Sequence, residues 1–253
     1  MCDDDGMHPR WRMSVLDQSM VASDFQHHAE HVRTIDLSDV GQRRLNNMLK
    51  FCVNVETLVL TVADKVKHVR YALKCPKLRA VRLCLLENTT LSLKDFPSHI
   101  TELTLQACVV RDLKELTRFT RLEKLDLDQS QLLEVNDDGC FFEVPQTLKH
   151  LNARGSGFPW EKYTLNNLES LHISPAPDKW WLHLSRFPSL KELDVEGPIC
   201  DDALSYLLQM PNLQKVRLQQ LIESEFLFEM DHAHISQHLL DALRKKVHSL
   251  HVA

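Results

Sequence analysis

Along the chain an aliphatic residue, two variable positions, a second aliphatic, one variable position and a third aliphatic return at a steady interval. In "FPSLKELDV" the three are Leu190, Leu193 and Val195. Aligned on that stretch, the earlier copies are Val32-Ile35-Leu37, Val55-Leu58-Leu60, Leu78-Val81-Leu83, Ile100-Leu103-Leu105, Leu122-Leu125-Leu127, Leu148-Leu151-Ala153 and Leu168-Leu171-Ile173. Two follow it, Leu213-Val216-Leu218 and Val247-Leu250-Val252. Successive copies begin 23, 23, 22, 22, 26, 20, 22, 23 and 34 residues apart, and Leu, Val or Ile fill 29 of the 30 aliphatic slots. A single run of this kind is an ambiguous buried segment. Ten at one period predict a repeat architecture, each unit giving one strand to a shared core.

The connectors carry their own marks. Pro76, Pro97, Pro145, Pro188 and Pro211 stand two or three residues ahead of a first aliphatic. Proline stops a helix and pushes the chain into extended geometry, so it suits a helix-to-strand junction. Helical spacing appears between strands in "KVKHVRYALK" (Val66, Val69, Leu73), "DLKELTRF" (Leu113, Leu116, Phe119) and "DDALSYLLQM" (Leu204, Leu207, Leu208). The longest break in the period, residues 219–246, contains "HISQHLLDALRKK". Its Ile235, Leu239 and Leu243 predict a helix from about 234 to 246 on the convex side, with Arg244, Lys245 and Lys246 at the end where the helix dipole favours cations. "EFLFEM" ahead of it reads as a loop or short turn.

A strand, a turn and a short helix every 20–26 residues resembles the leucine-rich repeat, with its L-x-x-L-x-L signature. The resemblance implies an α/β, right-handed solenoid of about ten repeats over 32–253, with a parallel sheet on the concave face and helices and turns on the convex face. Residues 1–31 then read as an N-terminal cap or linker, or an F-box remnant. The family's commonest form has Asn or Cys three residues after the third aliphatic, and here only Cys108 fits that slot. The missing asparagine ladder points to the irregular helical type. "ICDDALSYLLQMPNLQKVRL", with "WRMSVLDQSM…HVRTIDLSDV", resembles the repeat region of F-box leucine-rich proteins. That resemblance implies a substrate-recognition part of a cullin-based ubiquitin ligase, with a ubiquitylation substrate and the cullin adaptor as partners. The alternative is a free-standing scaffold or inhibitor on the same solenoid.

Composition narrows the classes. The 253 residues are 43% hydrophobic, enough for a sizeable core, and no run of about 18 apolar residues predicts a membrane span. The net charge of -5 comes from interspersed signs, unlike the concentrated basic footprint of a nucleic-acid binder. The start, "MCDDDGMHPRWR", has no apolar run behind it and does not read as a secretory signal. Seven cysteines without a CxxC pair read as reduced thiols in a cytoplasmic or nuclear protein. No P-loop, GxGxxG, GxSxG or HExxH is present, so neither an enzyme nor a cofactor is expected. His27 and His31, and separately Asp231, His234 and His238, have metal-compatible spacing but lack further ligands, and read better as solvated faces. Cys140 follows the acids of "NDDGC", which would raise a thiol pKa and argue against a nucleophile.

What remains is a surface. Side chains alternate along a strand, so the positions between the buried aliphatics face the concave side. Those columns hold Asp36, Arg82, Glu102 and Lys124, then Asp126, Asp128, His150, Asn152, Arg154, His172, Glu192, Asp194, Glu196, Lys215 and Arg217, and finally His251. From Asp126 to Arg217 they form the candidate strip for a protein partner, with Asp126, Asn152, His172, Asp194 and Arg217 in one row. The other reading is a soluble sheet face. No aromatic lies on the strip, so apolar anchoring is expected from connector aromatics: Trp160, Trp180 and Trp181, one of the adjacent pair packing inward and the other exposed. Reversing Asp194 and Glu196 to Lys is expected to slow association and leave folding intact.

Overall fold

A computed structural model describes residues 29–36, 52–61, 73–84, 90–133, 142–219 and 235–252. Its strands, in chain order, are β1 (Thr34–Asp36), β2 (Thr57–Leu60), β3 (Ala80–Cys84), β4 (Thr90–Ser92), β5 (Glu102–Gln106), β6 (Val109–Arg111) and β7 (Lys124–Asp126). There follow β8 (Gln131–Leu132), β9 (His150–Asn152), β10 (Ser170–Ile173), β11 (Glu192–Glu196), β12 (Lys215–Gln219) and β13 (Ser249–Val252). Ten of them make one sheet in the order β1-β2-β3-β5-β7-β9-β10-β11-β12-β13, with every neighbouring pair parallel.

The register follows the aliphatic pattern without a slip. Ile35, Leu58, Val81, Leu103, Leu125, Leu151, Leu171, Leu193, Val216 and Leu250 stand opposite one another from strand to strand. All but Leu250 are buried, and Leu250 packs half-buried against the same core. A one-residue shift would turn this whole stripe to solvent, so burial fixes the pairing. The first aliphatics, from Val32 to Val247, form a second buried column beside it. The fold is a leucine-rich repeat solenoid of α/β class, stacked so that each repeat completes its neighbour's core.

The return path differs in detail from the expectation. "DLKELTRF" forms a 3₁₀ helix, Leu113–Arg118, and other 3₁₀ helices cover Leu93–Asp95, Trp160–Lys162 and Trp180–Arg186. A 3₁₀ helix rises about 2.0 Å per residue against 1.5 Å for an α-helix, so it covers the return distance with fewer residues. The connectors of repeats three to five add a small parallel sheet, β4-β6-β8, which the aliphatic period did not announce. Most of "KVKHVRYALK", the stretch "EFLFEM" and the expected cap before residue 29 lie outside the described residues.

Two α-helices are described, α1 (Asp201–Gln209) and α2 (Gln237–Lys246), the second inside the range expected for the insertion. They are tied together at both ends. Asp201, in the first turn of α1, accepts hydrogen bonds from the amide and hydroxyl of Ser236, the N-cap of α2. At the other end Lys246 Nζ donates to the carbonyls of Leu207, Leu208 and Met210 at 2.9, 2.8 and 2.5 Å. The cation therefore closes the carbonyl end of its neighbour, α1. Replacing Lys246 by Met should cost about 1–2 kcal/mol, since three carbonyls lose a charged donor. Denaturant titration and faster amide exchange across α2 would register it.

At the strand-to-connector bend, serine does work expected of asparagine. The Ser130 hydroxyl donates to the Leu105 carbonyl at 2.8 Å and accepts from the Cys108 amide at 3.3 Å. Ser156 donates to the Ala153 carbonyl and accepts from the Phe158 amide. One residue before these serines, and at Ala107, the backbone turns left-handed, with φ of 52° at Ala107, 55° at Gln129 and 59° at Gly155.

Candidate functional site

Strand alternation presents two charged rows on the concave face. One runs Glu102, Lys124, His150, Ser170, Glu192, Lys215 and Ser249 in register. The other runs Arg82, Thr104, Asp126, Asn152, His172, Asp194, Arg217 and His251, and contains the row of five expected from the sequence. Two depressions follow these rows. One of about 480 Å³ is lined by His172, Glu192, Asp194, Lys215, Arg217 and His251, with Leu193, Val216 and Ser249. The other, about 250 Å³, is lined by Lys124, Asp126, His150, Asn152, Ser170 and His172, with Leu125 and Leu151. His172 lines both, and we term the two together the trough, from β7 to β13.

The charges in the trough are unequally engaged. Arg154, just past the end of β9, reaches over β10 to place Nη2 2.5 Å from Asp194 Oδ2, and His172 Nδ1 lies 4.0 Å from the same oxygen. Asp194 is only 9% exposed. Its Oδ1 and both Nε and Nη2 of Arg154 are buried without a hydrogen-bond partner among the described residues, so the close contact is an ion pair without hydrogen-bond geometry. The pair is close but incompletely satisfied, the condition in which a buried charge contributes least. On the rows' other side Lys215 Nζ contacts Glu192 Oε1 at 2.6 Å, and Ser174 donates its hydroxyl to Glu196 at 2.6 Å. Arg217 is exposed and makes no ion pair among the described residues.

Asp126 and Asn152 share a local task. Asp126 Oδ1 accepts the Asp128 amide at 3.1 Å, and Asn152 Oδ1 accepts the Arg154 amide at 3.3 Å. Each closes the end of its strand by a side-chain turn. Gln106 adds a second donor to Asp126, so that carboxylate is held in place on the wall. Asp128 has its pKa raised, first by burial and next by the Asp126 charge. His172 has its pKa lowered by burial, against the pull of Asp194, which favours the neutral imidazole.

Two expectations are corrected here. Trp160, Trp180 and Trp181 are all buried and cannot serve as exposed anchors. Trp180 is fully enclosed, its Nε1 donates to the Pro198 carbonyl at 2.8 Å, and Trp181 meets its ring edge-to-face at 5.8 Å. In this 3₁₀ helix Trp180, Trp181 and Leu184 are all buried, and Leu182 is left outside, 55% exposed. The second correction concerns Asp194. It is buried against Arg154, so reversal to Lys would place two cations together and disturb folding, not association alone.

A third charged column escaped the sequence reading. One residue ahead of the strands, Arg33–Glu56, Glu123–Lys149 and Glu169–Lys191 pair laterally at 3.7, 3.1 and 2.9 Å. Their alternation in sign down one repeat position was the available signal. Such exposed pairs each contribute about 0–1 kcal/mol. They leave this edge of the face with little net charge to offer a partner.

Chemistry of the catalytic kind finds no support in the thiols. Burial pushes Cys52 up to about 12 and raises Cys75 and Cys108, which keeps these thiols protonated. Cys140, His27, Asp231 and His234 lie outside the described residues, while His31 and His238 are exposed. Among the described residues no group of three or more His, Cys, Asp or Glu side chains is placed to hold a metal, and no helix is long and apolar enough to cross a membrane.

No protein-family model matches the chain, and no curated protein matches it. Among solved structures it is similar to internalin C2 from Listeria monocytogenes, at 18% identity and a TM-score of 0.40, over 90% of this chain and 84% of that one. It is also similar to an internalin, inlF, from the same organism, at 15% identity and a TM-score of 0.46. That match covers 93% of this chain and 64% of the internalin.

Proposed function

We propose that the protein is a non-enzymatic recognition module that docks a segment of a protein partner in the trough between β7 and β12. One observation carries the reading: Asp126, His150, Asn152, His172, Glu192, Asp194, Lys215 and Arg217 of the strip line two depressions that share His172, while Asp128, Arg154 and Glu196 lie beside them. A merely soluble sheet face needs no such continuity. The contacts fall to the side chains that remain accessible, chiefly Asp128, His150, His172, Lys215 and Arg217, with Glu192 and Glu196 on the rim. Arg154, Asn152, Asp126 and Asp194 shape the wall. Because exposed charge pairs are individually weak, affinity is spread over several contacts, and electrostatics acts mainly on the rate and selectivity of encounter.

Photo-crosslinkers placed at positions 128 and 217 test this. Both should capture the same partner peptide, while one at Lys114, exposed on a connector, should not. Capture from 114 alone, or of unrelated proteins from 128 and 217, would overturn the reading. The narrower role, substrate recognition within a cullin-based ligase, draws its support from the α1 repeat that carries the F-box-type likeness. Between β3 and α1 the described connectors are 3₁₀ turns or short strands. Co-purification of the cullin adaptor with the full chain would distinguish that role from a free-standing scaffold or inhibitor.

A further inference from the structure

The trough's charges sort by whether an oppositely charged side chain already pairs with them. In the middle, Arg154 is matched with Asp194 and Glu192 with Lys215. Glu196 is held by the Ser174 hydroxyl. At the β7 end Asp126 and Asp128 stand two residues apart, and neither makes an ion pair among the described residues. Burial first, and the Asp126 charge second, raise the pKa of Asp128 against the pull of Arg154 and His172. Lys124 on the same strand offsets one of the two charges, which leaves that end net negative. At the β12 end the exposed guanidinium of Arg217 stands with His172, His251, Glu192 and Asp194 around the larger depression, and among the described residues it makes no ion pair.

The two unsatisfied ends have a measurable separation. From β7 to β12 the sheet order passes β9, β10 and β11, which is four inter-strand steps. At about 4.8 Å per step this is roughly 19 Å, and an extended chain at about 3.3 Å per residue crosses it in about six residues. A segment lying across the strands meets the ends in turn, with the internally paired charges beneath its middle.

Resting on the docking function above, we infer that the trough selects an extended protein segment carrying a basic and an acidic side chain about six residues apart. The basic group sits at Asp126 and Asp128, and the acidic group at Arg217. The match favours this polarity and disfavours its reverse, because a like charge at either end meets an uncompensated one.

A displayed library of random 12-residue peptides, selected on the full chain, reads the pattern directly. Enrichment of Lys or Arg about six positions from Asp or Glu, in either chain direction, is the expected result. Selected peptides should lose at least about tenfold in binding to Arg217→Glu. Changing the peptide acid to Lys should restore binding to that variant and abolish it on the parent. Asp128→Asn, which keeps size and removes charge, should relax the demand for the basic residue alone. If enriched peptides lose binding to Arg217→Glu yet show no opposite charges at this spacing, the charge inference is overturned and the docking function stands. If no enriched peptide responds to changes at 128 or 217, both are overturned.

Discussion

Leu125→Asp should unfold the centre of the array, at a cost of at least about 4 kcal/mol. Leu125 is 1% exposed and stands in register between Leu103 and Leu151. A carboxylate there has no partner within the apolar column, so it must stay uncharged or drive the strands apart. Total stabilities of about 5–15 kcal/mol leave little in reserve against such a loss. Each repeat contacts chiefly its neighbours, so the damage should spread from β5, β7 and β9 and uncouple the two halves of the solenoid. Urea denaturation should fall to a lower midpoint or split into two transitions, and amide exchange should accelerate first in those strands. A control substitution at exposed Lys114 should stay within about 0.5 kcal/mol of the parent.

Asp194→Ala should cost about 2–3 kcal/mol, because it leaves the Arg154 guanidinium largely buried and unmatched. Arg154 keeps 25% of its side chain exposed, which holds the loss below that of a fully enclosed pair. Replacing both partners, Arg154→Met with Asp194→Leu, should return stability to within about 1 kcal/mol of the parent. The native pair is close but incompletely hydrogen-bonded, and an apolar pair of similar size removes both desolvation costs. Urea midpoints for the two single variants and the double variant give the coupling. A double variant as unstable as the singles would show that the pair is held by more than its own charges.

The spacing of aliphatics made the main sheet legible, since a parallel sheet buried on one face admits one register for ten such strands. It also placed Asp126, Asn152, His172, Asp194 and Arg217 in one row, because lateral neighbours follow from register alone. Arg154 with Asp194 was not legible: the pair spans an intervening strand, and side-chain length decides it. The burial of Trp181 was not legible, because a one-layer helix offers its core one face, whereas here Trp181 packs edge-to-face on Trp180 and is covered with it. Lys246 was assigned to its own helix dipole, whereas the packing of α2 against α1 sends its amine to the neighbour's carbonyls. Ser130 and Ser156 supply the bend hydrogen bonds through hydroxyls, so a search for asparagine alone passes over them.

The central claim, docking in the trough, is tested most directly by association kinetics with the partner captured by crosslinking. Arg217→Glu and Lys114→Glu change charge equally, one inside the trough and one on a connector. The account predicts that Arg217→Glu slows association at least about threefold and alters its salt dependence, while Lys114→Glu leaves both unchanged. Equal rates and equal salt slopes for the two variants would contradict it.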